Sequence, residues 1–239
     1  MKAINAELDS FAYNVSHSLR APLRSVLGLI YLVKHEEKQV TGKITEFINM
    51  MEYNIEKLDA TLKNILDHSR NVRISNSCNR IDLVKLIKDC YDDLKYMDGA
   101  ELIQRDIHVN NDCDFYSDKE RLTVLINNLL SNSIKYKDKS KCNFRIDIDA
   151  FITKENAVIT LRDNGIGIEK EIIPKVFDMF FRGTQLSDGS GLGLYVAKGV
   201  VDKLSGKIDI KSTLSEGTTI TVIIPNLVAQ STAFVQSKV

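Results

Sequence analysis

Apolar residues recur every three or four positions through the first part of the chain. Ile4, Leu8, Phe11, Val15, Leu19, Leu23, Val26, Ile30 and Val33 form one series, which is the spacing of a long amphipathic helix. A polar stretch, HEEKQVTGK, follows with Thr41 as a possible cap, and then comes a second series: Ile44, Phe47, Met51, Ile55, Leu58, Leu62 and Ile65. Its steps are all of three or four residues, close to a heptad seam. Two long helices joined by a short loop predict a helical hairpin over residues 1–71. So broad an apolar stripe is too much for one hairpin to bury, which predicts pairing of two hairpins into a dimeric four-helix bundle. The competing arrangement packs a single hairpin against the rest of the chain.

Helical periodicity lapses at NVRISNSCNR, so a linker is expected over residues 72–80, then a second domain over 81–226 and a tail over 227–239. IDLVKLIKDCYDDLKYM reads as a helix, DIHVN and CDFYS as short strands. Asp118 is placed to cap a helix carrying Leu122, Leu125, Ile126, Leu129, Leu130 and Ile134. FRIDIDAFI and AVITLRD alternate as antiparallel strands around the turn KEN. GLYVAKGVVDKLS reads as a helix, and KIDIKSTLSEGTTITVIIP as a hairpin turning at Ser215, Glu216 and Gly217. The expected class is α+β, a helical hairpin followed by an α/β sandwich whose helices cover one sheet face.

Composition narrows the function. Among 239 residues, Lys+Arg and Asp+Glu both number 32, so no net field recruits nucleic acid or an acidic membrane. Cys78, Cys90, Cys113 and Cys142 form no CxxC pair and adjoin no clustered histidines, which disfavours a zinc site or a disulfide framework and fits a reducing cytosol. No run approaches the ~20 apolar residues of a membrane helix, and MKAINAELDSF lacks the apolar block of a signal peptide. A cytoplasmic segment is expected, with no membrane contact of its own. Its uncapped helical start fits continuation from an upstream domain, so the segment can be the cytoplasmic part of a larger, membrane-bound sensor.

Four elements between Asn128 and Gly193 each suit one part of a magnesium-bound nucleotide. Asn128 and Asn132 lie four apart, hence on one helix face, where two amide oxygens can meet a magnesium ion and the phosphates it bridges. Lys135 and Tyr136 add a phosphate-reaching cation and a ring that can lie on a base. Alone, such asparagines equally cap or solvate a surface helix. Asp163-Asn164-Gly165-Ile166-Gly167-Ile168 leaves a strand end, where a carboxylate can accept adenine amino hydrogens and glycines admit a flat base. It also suits an ordinary strand-to-helix turn. Phe177-Asp178-Met179-Phe180-Phe181-Arg182 sets rings beside a cation, a pattern that also serves core packing. Finally, Gly189-Ser190-Gly191-Leu192-Gly193-Leu194 opens a helix, where backbone N–H groups make an anion site and small residues permit a lid. It is not a dinucleotide fingerprint, because no strand leads into it and no βαβ unit surrounds it.

In this order and spacing, NLLSNSIKY, DNGIGI, FDMFFRG and GSGLGL resemble the N, G1, F and G2 boxes of the histidine kinase ATP-binding domain. The resemblance implies the Bergerat or GHKL fold shared with gyrase, MutL proteins and Hsp90-type chaperones, with ATP and Mg2+ held between a mixed sheet and a lid. It assigns magnesium and phosphates to Asn128 and Asn132, the phosphate tail to Lys135, adenine to Tyr136 and Asp163, and the pocket and lid to Gly165, Gly167, Gly189, Gly191 and Gly193. Phe180 and Arg182 of the F box join this nucleotide site. Steady ATP hydrolysis of the gyrase or chaperone kind is disfavoured, since Asn128 occupies the position of the catalytic glutamate those enzymes use on water.

The phosphoacceptor needs its own argument. At ~100° per residue, His17 falls about 180° from the apolar stripe and is predicted to face solvent. His35 shares that face without comparable context. FAYNVSHSLRAPLRSVLGL resembles the H box of dimerisation and phosphotransfer domains, with His17, Arg20, Pro22 and Leu23 in place. Pro22 lacks an N–H and clashes one turn back, so it should free the Ser18 carbonyl and bend the helix beyond the acceptor. Imidazole, with a pKa of about 6.5, is largely neutral in the cytosol and offers a lone pair to phosphorus. The resemblance therefore implies autophosphorylation of His17 and relay to an aspartate on a response regulator receiver domain, by a homodimer. The alternative is an ATP-binding dimeric scaffold with weak or lost kinase activity.

Two positions depart from the family pattern. Ser18 stands where an acidic residue usually follows the histidine, and Ala21 where a Thr or Asn usually supports dephosphorylation of the regulator. Serine can hydrogen-bond imidazole but cannot offset the positive charge that develops on it, so either slow autophosphorylation or a base supplied by another residue is expected; Ala21 cannot orient an attacking water, so weak phosphatase activity is expected. Restoring a carboxylate should supply part of the ~10²- to 10⁴-fold that general acid–base groups give. Ser18→Glu is expected to raise the initial rate of phosphohistidine formation at least ~10-fold in a timed labelled-ATP assay, a small share of that range.

Overall fold

The computed structural model describes residues 19–20, 22–33, 44–73, 77–97, 99–183 and 191–227, and the chain divides near Ser69–Arg70 into two compact units. The described residues of the first unit are helical. Helix α1 covers residues 22–33 and helix α2 runs Ile44–Arg73, as the second periodic series and the end of the first predict; the first series from Ile4 to Val15 lies outside the described residues. Leu29 is buried, but Leu23, Leu27, Ile30 and Tyr31 of α1 are exposed, as are Ile44, Ile48, Met50, Tyr53, Ile55 and Leu62 of α2. Apolar area left in water at ~25 cal/mol per Å2 favours covering by another surface.

In the second unit, β1 (Asn79–Arg80) pairs antiparallel with β3 (Tyr116–Ser117). The remaining strands are β2 (Gln104–Asn111), β4 (Arg145–Ile152), β5 (Asn156–Asp163), β6 (Lys207–Thr213) and β7 (Gly217–Pro225), in the sheet order β2-β4-β5-β7-β6. Helices α3 (Leu83–Leu94), α4 (Lys119–Lys135) and α5 (Gly193–Lys203) complete the α+β unit. Both expected hairpins, β4–β5 and β6–β7, are antiparallel. The pairing of β2 with β4 is instead parallel, since the whole of α4 intervenes and reverses the chain.

Where a linker is expected over 72–80, the chain first completes α2 at Arg73 and later forms β1. That segment is held locally: the Ser77 N–H donates to Asp118 Oδ2 at 3.0 Å and the Ile81 N–H to the Phe115 carbonyl at 2.8 Å. Alternation along the strands sends Ile146, Ile148, Ala150 and Ile152 of β4, Ala157, Ile159 and Leu161 of β5, and Ile220, Val222 and Ile224 of β7 into one core. Leu122, Leu125, Ile126, Leu129 and Leu130 of α4 and Val196, Ala197, Val200 and Val201 of α5 are buried with them. The intervening strand positions carry polar pairs instead, Arg162 with Asp149 at 3.2 Å and Arg145 with Asp147 at 3.4 Å. One face of the sheet is thus dry and the other wet.

Helix α4 is capped where the sequence places it, with Asp118 accepting from the Arg121 N–H at 3.0 Å. Helix α3 is capped by Asp82, which accepts from the Lys85 N–H at 2.9 Å. Asp118 also meets the Arg121 guanidinium at 2.9 Å while almost fully buried. Burial pushes its carboxyl up, but the N–H groups of Arg121 and Ser77 and the guanidinium outweigh this and hold it below the ordinary aspartate value. The four cysteines are free.

Asn226, just past β7, closes the far end of the sandwich. It is 3% exposed; its Oδ1 accepts the Tyr116 N–H at 3.0 Å, and its Nδ2 donates to the carbonyls of Asp114 and Thr153 at 2.9 Å each. Alanine there would leave these buried backbone groups without partners. Asn226→Ala is expected to cost about 2–3 kcal/mol, read as a lower urea midpoint with an unchanged slope.

Candidate functional site

The site grows from the polar side of α4. With Leu125, Leu129 and Leu130 in the core, the helical period leaves Asn128 and Asn132 on an adjoining, half-buried face. Asn128 Nδ2 donates to the Val124 carbonyl at 2.8 Å, which uses its donor end and leaves Oδ1 pointing away. That oxygen looks toward Gly193, the first residue of α5: a Cβ built on Gly193 would lie 3.4 Å from Asn128 Oδ1 and 3.1 and 3.2 Å from Oδ1 and Nδ2 of Asn132. Any side chain at Gly193 would crowd both amides, so the helix N-terminus opens directly onto them.

At the end of β5, Asp163 is half-buried. Its Oδ2 accepts from Ser133 Oγ at 2.8 Å, and its Oδ1 accepts from the N–H groups of Gly165 at 3.0 Å and Thr218 at 3.3 Å. Burial raises the Asp163 carboxyl above the ordinary aspartate value, against the opposing pull of those hydrogen bonds and of the Lys141 charge. A carboxylate has about four acceptor directions, so it retains capacity for a ligand donor.

Gly165 and Ile166 follow against the C-terminus of α4, where the Tyr136 carbonyl accepts the Ile166 N–H at 3.0 Å. Gly167 turns toward β6, and the next amide, Ile168 N–H, donates to Ser212 Oγ at 2.8 Å. Lys135 and Tyr136 therefore stand at the junction of α4 with this loop. Desolvation by the surrounding protein holds the Lys135 ammonium below the ordinary lysine value, although the residue is exposed at the surface.

Gly191 has φ +70°, and a Cβ there would meet the Phe180 backbone at 2.6–2.8 Å; Phe180 is itself in the left-handed region at φ 62°. Two residues in that region, one of them non-glycine, mark a strained close approach between the FDMFFRG segment and the start of the last glycine element. Phe177 carries the Lys198 ammonium over its ring at 5.6 Å, and Arg182 is exposed beyond it.

The fold thus gathers Asn128, Asn132, Lys135, Tyr136, Asp163, Gly165 and Gly167 around α4 and the β5 end, with Gly191 and Gly193 beside the asparagines and Phe180. Arg20 and Pro22 lie on helical residues of the first unit, Arg20 exposed and Pro22 buried. His17, Ser18 and Gly189 fall outside the described residues. Ser133, Thr218, Ser212 and Lys141 also shape the site without a signal that singles them out. Only Ser133 stood within a recognised box, and Thr218 reaches Asp163 because it is its register partner on β7. Among the described residues no three His, Cys, Asp or Glu gather as a metal site.

Residues 117–227 match the family described as histidine kinase-, DNA gyrase B-, and HSP90-like ATPase. Over 236 residues the chain is 28% identical to the autoinducer 2 sensor kinase/phosphatase LuxQ of Vibrio parahaemolyticus, covering 94% of this chain and 27% of that protein. It is 31% identical to the methanogenesis regulatory histidine kinase FilI of Methanothrix harundinacea, covering 94% of this chain and 25% of that one. The chain therefore spans about a quarter of the length of these relatives. Among solved structures, histidine kinase ThkA in complex with response regulator protein TrrA superposes with a TM-score of 0.71 at 20% identity, over 94% of this chain and 64% of that one. The Acinetobacter baumannii histidine kinase AdeS superposes at 0.67 with 18% identity, over 88% and 98%. Four boxes in order, the sandwich that brings them together and these similarities agree: residues 117–227 are an ATPase domain of the histidine kinase, DNA gyrase B and HSP90-like family, in a chain that is similar along most of its length to sensor histidine kinases.

Proposed function

We propose that this chain binds ATP with magnesium at the α4–α5 site and transfers the γ-phosphoryl group to His17, from which it passes to an aspartate of a response regulator. The observation that carries the reading is the meeting of the Asn128 and Asn132 amides with the open N-terminus of α5 at Gly193, a cradle for phosphate oxygens. Asp163, with its spare acceptor capacity, would take the adenine amino group, Tyr136 would lie along the base, and Lys135 would reach the phosphates. Gly165, Gly167, Gly191 and Gly193 would leave room for base and phosphates, with Phe180 and Arg182 bordering them. Asn128 and Asn132 would hold magnesium, which when bound offsets phosphate charge.

In the transfer, the lone pair of a neutral His17 ring nitrogen forms the P–N bond as the bond from Pγ to the bridging oxygen breaks. ADP keeps that electron pair, and the imidazole loses its remaining proton to a base or water. Positioning and electrostatics do most of the work in such reactions. The exposed apolar residues of α1 and α2 support dimerisation through the hairpin. Relay to a receiver is supported by a solved structure of similar fold that holds a response regulator, an analogy of fold. No helix among the described residues is long and apolar enough to cross a membrane, and the need for ATP favours a cytoplasmic location. Ser18 favours a second reading, an ATP-binding scaffold with weak kinase activity.

Purified protein incubated with magnesium and γ-labelled ATP is expected to acquire an acid-labile, alkali-stable label that His17→Ala abolishes. Nucleotide binding without label selects the scaffold, and label that survives His17→Ala refutes transfer to this residue.

Asp163→Asn is expected to weaken ATP ~10- to 10²-fold by titration, the worth of a hydrogen bond to a charged group. Because burial raises the folded carboxyl above its unfolded value, the ionised aspartate costs stability above the folded pKa, and this cost fades as pH falls toward the unfolded value. The ligand-free variant should therefore melt higher than wild type at pH 7, with the gain shrinking on acidification.

A further inference from the structure

Lys141 lies in the connection between α4 and β4, outside every recognised box. Its Nζ donates to the carbonyls of Asn164 at 2.8 Å and Gly165 at 3.3 Å on one side, and of Ser215 at 2.7 Å and Glu216 at 3.4 Å on the other. One ammonium thus bridges the loop after β5 and the turn between β6 and β7. The lysine is itself held by a turn built on Asp138. The Ser140 N–H and Oγ donate to Asp138 Oδ1 at 3.0 and 2.6 Å, the Lys141 N–H donates to the Asp138 carbonyl at 3.1 Å, and Asp138 Oδ2 lies 3.8 Å from Nζ. Only 28% of the Lys141 side chain is exposed.

The loop it grips is the one that orients Asp163. Gly165, whose carbonyl accepts from Nζ, donates its N–H to Asp163 Oδ1 at 3.0 Å. The turn at Ser215 and Glu216 leads into Thr218, whose N–H reaches the same oxygen at 3.3 Å. Asn164 is tied from the same connection: its Oδ1 accepts the Arg145 N–H at 2.8 Å and its Nδ2 donates to the Asn143 carbonyl at 2.7 Å. Both N–H groups that aim one carboxylate oxygen therefore sit on segments that Lys141 ties together.

We infer that Lys141 is a positioning residue for base selection: it clamps the two backbone segments that aim Asp163 at the nucleotide base, and so sets the preference for adenine. The inference rests on the nucleotide reading proposed above. A carbonyl cluster facing one cation is stabilised by charge–dipole attraction; without the cation, the carbonyls turn to water and release both segments. The phosphate half of the site, built from Asn128, Asn132 and Gly193, has no contact with this clamp among those described. Loss of Lys141 should thus fall on the base and spare the phosphates.

The test compares dissociation constants for Mg-ATP and Mg-GTP on the whole chain, wild type against Lys141→Met, which keeps the stem and removes the donor. ATP binding is expected to weaken ~10-fold, about 1.4 kcal/mol, with GTP binding little changed, so that the ATP-over-GTP ratio falls by the same factor; Lys141→Arg should restore most of it. An ATP-over-GTP ratio unchanged in Lys141→Met, or failure of Lys141→Arg to restore it, overturns the clamp. If the Met variant does not fold, Lys141→Gln answers in its place: a reduced ratio supports the clamp and an unchanged one overturns it. Wild-type protein that binds no ATP overturns the nucleotide reading and the clamp with it, whereas wild-type binding beside an unaffected variant overturns the clamp alone.

Discussion

Helix α4 has to satisfy two environments at once, and the second unit is arranged around that demand. Its Leu122, Leu125, Ile126, Leu129 and Leu130 are at most 1% exposed, packed in the core with the sheet, α3 and α5. At 3.6 residues per turn, fixing that stripe leaves no freedom in where Asn128, Asn132 and Ser133 point. Burial of five large side chains at ~1.5–3 kcal/mol each therefore does more than stabilise the fold. It also holds three polar side chains in register with the end of β5 and the start of α5, a supporting shell that a binding site on a loose helix would lack.

The same packing sets the cost of the site. Bringing Asp163 to the edge of the core disfavours its charge, and hydrogen bonds from Ser133, Gly165 and Thr218 only partly offset this. The strained Phe180 and the left-handed Gly191 beside it are a second local cost. Sites that must receive a ligand commonly retain such strain and incomplete solvation, since a fully satisfied pocket has nothing left to offer. Stability is recovered elsewhere, in the capped and ion-paired start of α4 and in the hydrogen bonds of Asn226.

The helical unit makes a different use of hydrophobicity. Of the heptad-like series on α2, Ile44, Ile55 and Leu62 are exposed while Phe47, Met51 and Leu58 are half-buried, so part of that stripe is left uncovered in the single chain. The chain spans about a quarter of relatives such as LuxQ and FilI.

Much of the local structure was legible in the residues alone. The two helical series, the cap Asp118, the two hairpins and the order of the four boxes each depend on neighbours within a few positions, where period and turn chemistry act. The family resemblance followed from that order, and with it the grouping of Asn128, Asn132 and Asp163. Other features were decided only in three dimensions. The parallel pairing of β2 with β4, the seat of Asn226 between segments 73 and 112 residues away, and the reach of Thr218 to Asp163 over 55 residues have no local signature. Nor does the clamp of Lys141, whose Nζ meets carbonyls 23 to 75 residues along the chain. A backbone carbonyl or N–H is the same in every sequence, so what meets it is determined by register and packing, which exist only once the sheet has formed.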